Sequence, residues 1–417
     1  HRKANCVTHS EVTAEDIIYL RAIRRRVAQE MFGLDPVINL LLISLLLRGH
    51  ALLEGNPGLG KTALVKALSG AMGMGQVPLG GAAKKPWGRI QFTPDLMPSD
   101  ITGTLLPDPN NPNRLVFKEG PVFSNILLAD EINRATPKTQ SAMLEAMAED
   151  QVTVLGETHP LTTILTVRQE LAAGTFDVKV RTPFFVIATQ NPIEQEGTNP
   201  LPEAQLDRFF FKIRMPFPAR EDLQTIVDKI AGPAGQGGPR ADQDDDARTM
   251  LVRFAQLEAG LRAMQPAEPV QSHILNMVMA SVGRFEAVRD VQGKRLTALK
   301  DFCAREVEMP LGPRAAAALT LGALGWSMLA IVQDTEPDQI PNRTTEALGQ
   351  IVMPVLRHRM RFASVYSGVG GHEDQQSPDD THDTLVREFA RLTAPSVGNY
   401  PETIADAIAG AASAADL

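Results

Sequence analysis

Apolar positions along the chain fall into three regimes. From residue 11 to 31, Val12, Ile17, Ile18, Leu20, Ile23 and Val27 alternate with charges, which predicts an amphipathic helix. Its basic run Arg24-Arg25-Arg26 fits either a solvated face or a contact for an acidic partner. The stretch from Asp35-Pro36 to Arg48 is apolar nearly all round and predicts a buried helix. Between Gly49 and Pro218 short apolar runs alternate with helical stretches. Strands are predicted at His50–Glu54, Arg89–Thr93, Asn125–Asp130, Pro183–Thr189 and Phe209–Met215. Strands alternating with helices imply an α/β fold, a parallel sheet of five strands flanked by helices, with ligands at the strands' carboxyl ends.

From Ala219 onward the pattern is helical. Helices are predicted over Ala315–Val332 and Thr345–His358, and around Thr384–Leu392 after a polar loop, Ser367–Asp383. The alanine-rich end, Ala405–Leu417, predicts only a marginal helix. Gly232–Gly238 followed by Asp242–Asp246 reads as a linker or insertion. The expected division is an N-terminal helix over 1–30, an α/β core over 31–218, a helical domain over 219–395 with an insertion near 231–247, and a tail over 396–417.

Composition changes this picture little. A chain of 417 residues, 43% of them hydrophobic, can bury a large core. A net charge of -8 argues against a general nucleic-acid binder, which carries a basic footprint. Two distant cysteines, Cys6 and Cys303, make neither a disulfide framework nor a metal quartet, which favours a reducing compartment, the cytoplasm. The longest apolar run, Val37–Leu47, is short of the roughly 20 residues a bilayer requires, so no transmembrane segment is expected. The sequence opens on His1 rather than a methionine, which leaves open whether residues precede it.

Chemistry enters at Gly55-Asn56-Pro57-Gly58-Leu59-Gly60-Lys61-Thr62, which fits G-x-x-x-x-G-K-[ST] between a strand and a helix. Such a loop turns backbone N–H groups inward around phosphates. Lys61 reaches the outer phosphates, and the Thr62 hydroxyl can ligate magnesium. Nucleotide contacts are therefore expected from Asn56, Pro57, Gly58, Leu59, Gly60, Lys61, Thr62 and Ala63, with ATP and Mg²⁺ as cofactors. The apolar strand Asn125–Asp130 ends in Asp130-Glu131: Asp130 is expected to hold the metal and Glu131 to act as general base. Phe184–Thr189 leads to Gln190-Asn191-Pro192. Were this strand to lie between the first and third, Asn191 would face the γ-phosphate; otherwise it is an Asn-Pro turn. Arg208 fits an arginine finger or a salt bridge with Asp207 or Glu203. Arg314 opens a helix against the macrodipole, and a phosphate contact would give it a reason to be there.

Together the chain resembles the MoxR family of AAA+ ATPases. The resemblance is carried by Gly49–Gly55 running into the phosphate loop, Arg89–Asp100, Leu128–Ala135, Gln140–Met147, Ala188–Thr198, Leu201–Phe209 and Val355–Arg359. It covers roughly residues 31–395, densely up to Pro218. It implies Walker A at Lys61 and Thr62, Walker B at Asp130 and Glu131, sensor 1 at Asn191, the finger at Arg208 and sensor 2 at Arg314. It also implies ATP hydrolysis in a homo-hexameric ring with an α-helical lid after Pro218. The implied work is chaperone-like remodelling of a protein client, often with a von Willebrand factor A domain partner.

Three stretches depart from the family pattern: extra residues at Leu161–Thr182, an unmatched segment around Asp290–Ala304, and an inserted look to 229–249. Leu105–Val116 resembles the family's insert in the second core helix, and Val152–Thr182 its hairpin before sensor 1. Two other readings stay open. One is a ring acting on nucleic acid, disfavoured by the charge and by the lack of an aromatic, basic pore segment. The other is an assembly module gated by nucleotide with little hydrolysis.

Overall fold

The computed structural model describes residues 12–56, 58–73, 85–171, 174–191, 197–231, 247–332, 336–366 and 378–415. Pro57 of the phosphate loop, Pro192–Glu196 of the resemblance and nearly all of the expected 231–247 insertion lie outside them. The described residues form two compact units. One comprises Ile18–Phe209 and Ile213–Gly260; the other comprises Thr13–Ile17, Phe210–Lys212 and Leu261–Leu417. The division falls at Gly260, later in the chain than Pro218.

In chain order the first elements are α1 (Ala14–Ala28), α2 (Asp35–Leu46), β1 (Ala51–Glu54), α3 (Lys61–Ala71), β2 (Lys85–Gln91) and α4 (Pro98–Thr102). Then come β3 (Gly103–Asp108), β4 (Asn111–Glu119), β5 (Ser124–Asp130), α5 (Pro137–Glu149), β6 (Gln151–Val154), β7 (Glu157–Pro160), β8 (Ile164–Leu171), β9 (Gly174–Arg181) and β10 (Phe185–Gln190). After them follow α6 (Glu203–Leu206), β11 (Phe211–Arg214), α7 (Arg220–Ala231) and α8 (Ala247–Ala263). The five predicted strands are all present, in one parallel sheet of order β11-β1-β10-β5-β2. The sensor strand thus lies between the first strand and the acidic one. Its register aligns the strand ends: Glu54 lies opposite Gln190, Ala188 opposite Ala129, and Gln91 opposite Asp130.

The inner strands β1, β5 and β10 are buried on both faces, as apolar runs without alternation require, whereas the edge strands β2 and β11 are only partly covered. Leu52, Leu127, Ala129, Val186 and Ala188 share one core with Phe92, Ile101, Met143, Leu144 and Phe209. Each large side chain buried there contributes about 1.5–3 kcal/mol. Two of the three arginines in the basic run of α1 bond inside the fold, while Arg25 is exposed. Arg24 donates to Asn39 and Asp35, each at 2.6 Å, and Arg26 to the Ala71 carbonyl at 3.1 Å, so they tie α1 to α2 and α3.

Three hairpins stand outside the sheet: β3 with β4, β6 with β7, and β8 with β9. The extra residues at 161–182 are therefore a second hairpin after β6–β7 rather than a lengthening of it. Its base is closed where Thr182 N–H donates to the Thr163 carbonyl and Thr163 N–H to the Thr182 hydroxyl, both at 2.8 Å.

The second unit holds α9 (Glu268–Ser281), α10 (Gly293–Glu306), β12 (Val307–Met309), α11 (Pro313–Trp326), α12 (Thr344–Leu356), β13 (Arg361–Phe362), α13 (Ala363–Tyr366), α14 (Pro378–Thr393) and α15 (Tyr400–Ala415). Two expectations need correction. Part of the supposed loop, from Pro378, is already helical in α14, because proline suits a first helical position where its missing N–H costs nothing. The alanine-rich end is a full helix, α15, because Tyr400, Ile404 and Ile408 are buried at helical spacing and packing supplies what propensity does not. The helical run Pro313–Ile331 has the length and apolarity to span a bilayer, although no such segment was expected; 61% of it is buried inside its unit, as in a core helix.

Candidate functional site

The site is built where β1, β10 and β5 end. The chain leaves β1 through Gly55, where an added Cβ would come within 2.9 Å of the Met215 side chain. Gly58 and Gly60 take φ of +87° and +77°, a left-handed backbone that glycine adopts without penalty. Gly60 is the N-cap of α3, so the helix starts at Lys61, and the N–H groups of its first turn face the loop. Lys61 folds back across the turn, its Nζ donating to the Gly55 carbonyl at 2.5 Å. Burial lowers its pKa, against the opposing pull of Asp130 and Glu131.

β5 brings up the acidic pair. Asp130 Oδ1 accepts the Thr189 hydroxyl at 2.6 Å, and Oδ2 accepts Arg89 Nη2 at 2.7 Å. Glu131 lies just past the strand at φ 57° and ψ 49°. Its N–H donates to the Thr189 hydroxyl at 2.9 Å, while Gln91 and Arg134 donate to Oε2 at 2.8 and 2.9 Å. Asn191, one residue beyond β10, is buried at 7% exposure.

The structure therefore gathers Lys61, Thr62, Asp130, Glu131 and Asn191 at neighbouring strand and helix ends. Arg208 is placed differently: it is exposed, and its Nη1 donates to the Leu144 carbonyl of α5 at 2.8 Å. Arg314 occupies the second position of α11 in the other unit, exposed. Sequence reasoning missed Thr189, which holds both acidic residues, and Arg89 and Gln91, which reach across from β2. A legible signal existed for Thr189: a polar residue near the end of an otherwise apolar strand, wholly buried, needs a partner.

A site made from a threonine hydroxyl and a carboxylate offers the hard oxygen ligands that suit magnesium with substrate phosphates, rather than a cage of protein ligands. Among the described residues no cluster of three or more His, Cys, Asp or Glu forms such a cage.

The profile of the ATPase family associated with various cellular activities (AAA) matches residues 50–170 and 168–211. Uncharacterized protein YeaC of Bacillus subtilis is 46% identical over 197 residues, 47% of this chain and 52% of the relative. Chaperone MoxR1 of Mycobacterium tuberculosis is 41% identical over 213 residues, 51% of this chain and 47% of the relative. The chain thus spans about half the length of these curated relatives. A crystal structure described as a candidate ATPase from Cytophaga hutchinsonii superposes with a TM-score of 0.61 at 29% identity, covering 89% of this chain and 96% of that one. With its sheet order, phosphate loop and acidic pair in place, the region over residues 50–211 is an AAA-family ATPase domain similar to that of the MoxR proteins.

Proposed function

We propose that this chain binds ATP at the Gly55–Thr62 loop and hydrolyses it, in a homo-hexameric ring in the cytoplasm that remodels a protein client. One observation supports this reading above the others: the start of α3 and the ends of β5 and β10 bring Lys61, Asp130, Glu131 and Asn191 together.

In this mechanism the N–H groups of Asn56, Gly58, Leu59, Gly60 and Ala63 cradle the phosphates. Lys61 leaves the Gly55 carbonyl for the outer phosphates. Thr62 and Asp130 would hold magnesium, which would supply positive charge to the phosphates. Gln91 and Arg134 both bond Oε2 of Glu131, so Oε1 takes the proton from the attacking water. Asn191 orients that water and the γ-phosphate. Arg208 from an adjacent copy and Arg314 supply charge to the transferring group. The name Chaperone MoxR1 supports a protein client, and a von Willebrand factor A domain protein is the proposed partner.

Glu131→Gln tests this reading. Removing the general base while keeping the side chain's shape should leave ATP binding within a few-fold of the parent and lower turnover by about 10²–10⁴-fold. Fluorescent-nucleotide titration and phosphate release measure the two. Ordinary turnover by the variant would remove Glu131 from the chemistry.

A further inference from the structure

Arg89 reaches Asp130 from the neighbouring strand. Its Nη2 and Nε donate to Asp130 Oδ2 at 2.7 and 3.2 Å, and the same Nη2 donates to Gln91 Oε1 at 2.6 Å. Gln91 Nε2 donates in turn to Glu131 Oε2 at 2.8 Å. The register of β2 on β5 explains this line of contacts. Gln91 lies opposite Asp130 and Arg89 opposite Leu128, so two side chains spaced by two on one strand rise on the same face, beside the acidic pair. Asp130, Arg89, Gln91 and Glu131 thus form one bonded series.

We propose that Arg89 is a positioning residue that exchanges with the divalent cation on Asp130 and passes that exchange, through Gln91, to Glu131. The proposal rests on the reading of Asp130 as the carboxylate that holds the metal. A guanidinium and a divalent cation repel strongly at contact distance, so both cannot share Oδ2. The Thr189 hydroxyl is neutral and keeps Oδ1 through the exchange. Arg89 can leave easily, because its side chain is 45% exposed while that of Asp130 is 14% exposed. Once Arg89 swings out, Gln91 Oε1 loses its donor and the amide is free to turn. The Gln91 bond to Glu131 Oε2 then loosens as the metal arrives, while Arg134 keeps its own bond to that oxygen, so the exchange resets the tether of the general base without removing it.

The test is the Mg²⁺ concentration that half-maximally strengthens binding of a slowly hydrolysed fluorescent ATP analogue. It is measured for the full chain and for Arg89→Gln, Arg89→Lys, Asp130→Asn and the double variant Arg89→Gln with Asp130→Asn. Arg89→Gln should shift that midpoint to about two- to fivefold lower Mg²⁺, the range an exposed ion pair supplies, with Arg89→Lys in between. The shift should vanish in the Asp130→Asn background, which a merely structural role for Arg89 would not produce. An unchanged or raised midpoint in an Arg89 variant that melts normally overturns the proposal. So does a shift that survives Asp130→Asn. Parent protein that binds the analogue with no Mg²⁺ dependence would sink the metal-site reading itself, and with it this exchange.

Discussion

Glu131 adopts a left-handed backbone, φ 57° and ψ 49°, which costs a residue with a Cβ roughly 1–2 kcal/mol. The conformation persists because Thr189, Gln91 and Arg134 over-determine it with three hydrogen bonds. His273 in the second unit is constrained in a different way. It is fully buried, with Nε2 against the Ala390 carbonyl at 2.8 Å and Nδ1 against the Tyr400 hydroxyl at 3.0 Å. Burial pushes its pKa down to about 4 from an ordinary 6.5. Between those values the unfolded chain binds a proton that the folded one refuses. The stability His273 contributes is therefore whole above pH 6.5 and is lost as pH falls toward 4, with a slope of at most about 1.4 kcal/mol per pH unit. Trp326 fluorescence in a Trp87→Phe background reports unfolding of this unit. His273→Gln should lower stability at neutral pH yet flatten that slope; an equal slope in both proteins would refute the assignment.

At the scale of elements, α15 docks on α12 through glycine. A Cβ on Gly349 would sit 2.5 Å from the Ala407 Cβ and 2.7 Å from the Ala407 carbonyl carbon, and the backbone carbon cannot rotate away. At Gly322 in α11 the nearest atoms are the Ile351 Cδ1 at 3.2 Å and the Phe211 ring at 3.3 Å, side chains that can give slightly. Gly349→Ala should therefore cost about 1–3 kcal/mol and expose Tyr400–Ala415 to limited proteolysis, while Gly322→Ala stays within about 1 kcal/mol. Equal losses in a denaturant titration would show that close approach does not hold α15.

The same helix marks where sequence reading runs out. Its alanines carry little pattern of their own, and the partner that orders it lies some 50 residues upstream in α12. The sheet was legible because a doubly covered strand must be an apolar run whatever it pairs with. The phosphate loop was legible because its glycines and lysine act at fixed spacing within one segment. Arg89 and Gln91 were not, because each is defined by a partner on another strand, and only the register brings them together; Thr189 stood out as a polar residue in an apolar strand, but its partners did not.

For the whole molecule the open question is whether one copy contains a complete catalytic centre. Lys61, Asp130, Glu131 and Asn191 converge within one unit, whereas Arg208 is exposed and bonds the Leu144 carbonyl. A single hydrogen bond to a carbonyl is weak tethering for an exposed guanidinium, so Arg208 is available to a neighbour's phosphates. In the proposed ring a head-to-tail interface would supply each centre with the arginine of the adjacent copy. Mixing two inactive proteins separates this arrangement from a self-contained one. Lys61→Ala loses its own phosphate loop but retains Arg208; Arg208→Ala has the converse defect. In an equal mixture about a quarter of head-to-tail interfaces would pair an intact loop with an intact arginine. Phosphate release should then recover to about that share of the parent rate at assembling concentrations, although neither variant alone turns over. Recovery requires subunit exchange, checked by energy transfer between labelled copies. Mixed rings that exchange freely and stay silent would place Arg208 in its own chain's chemistry or outside it altogether.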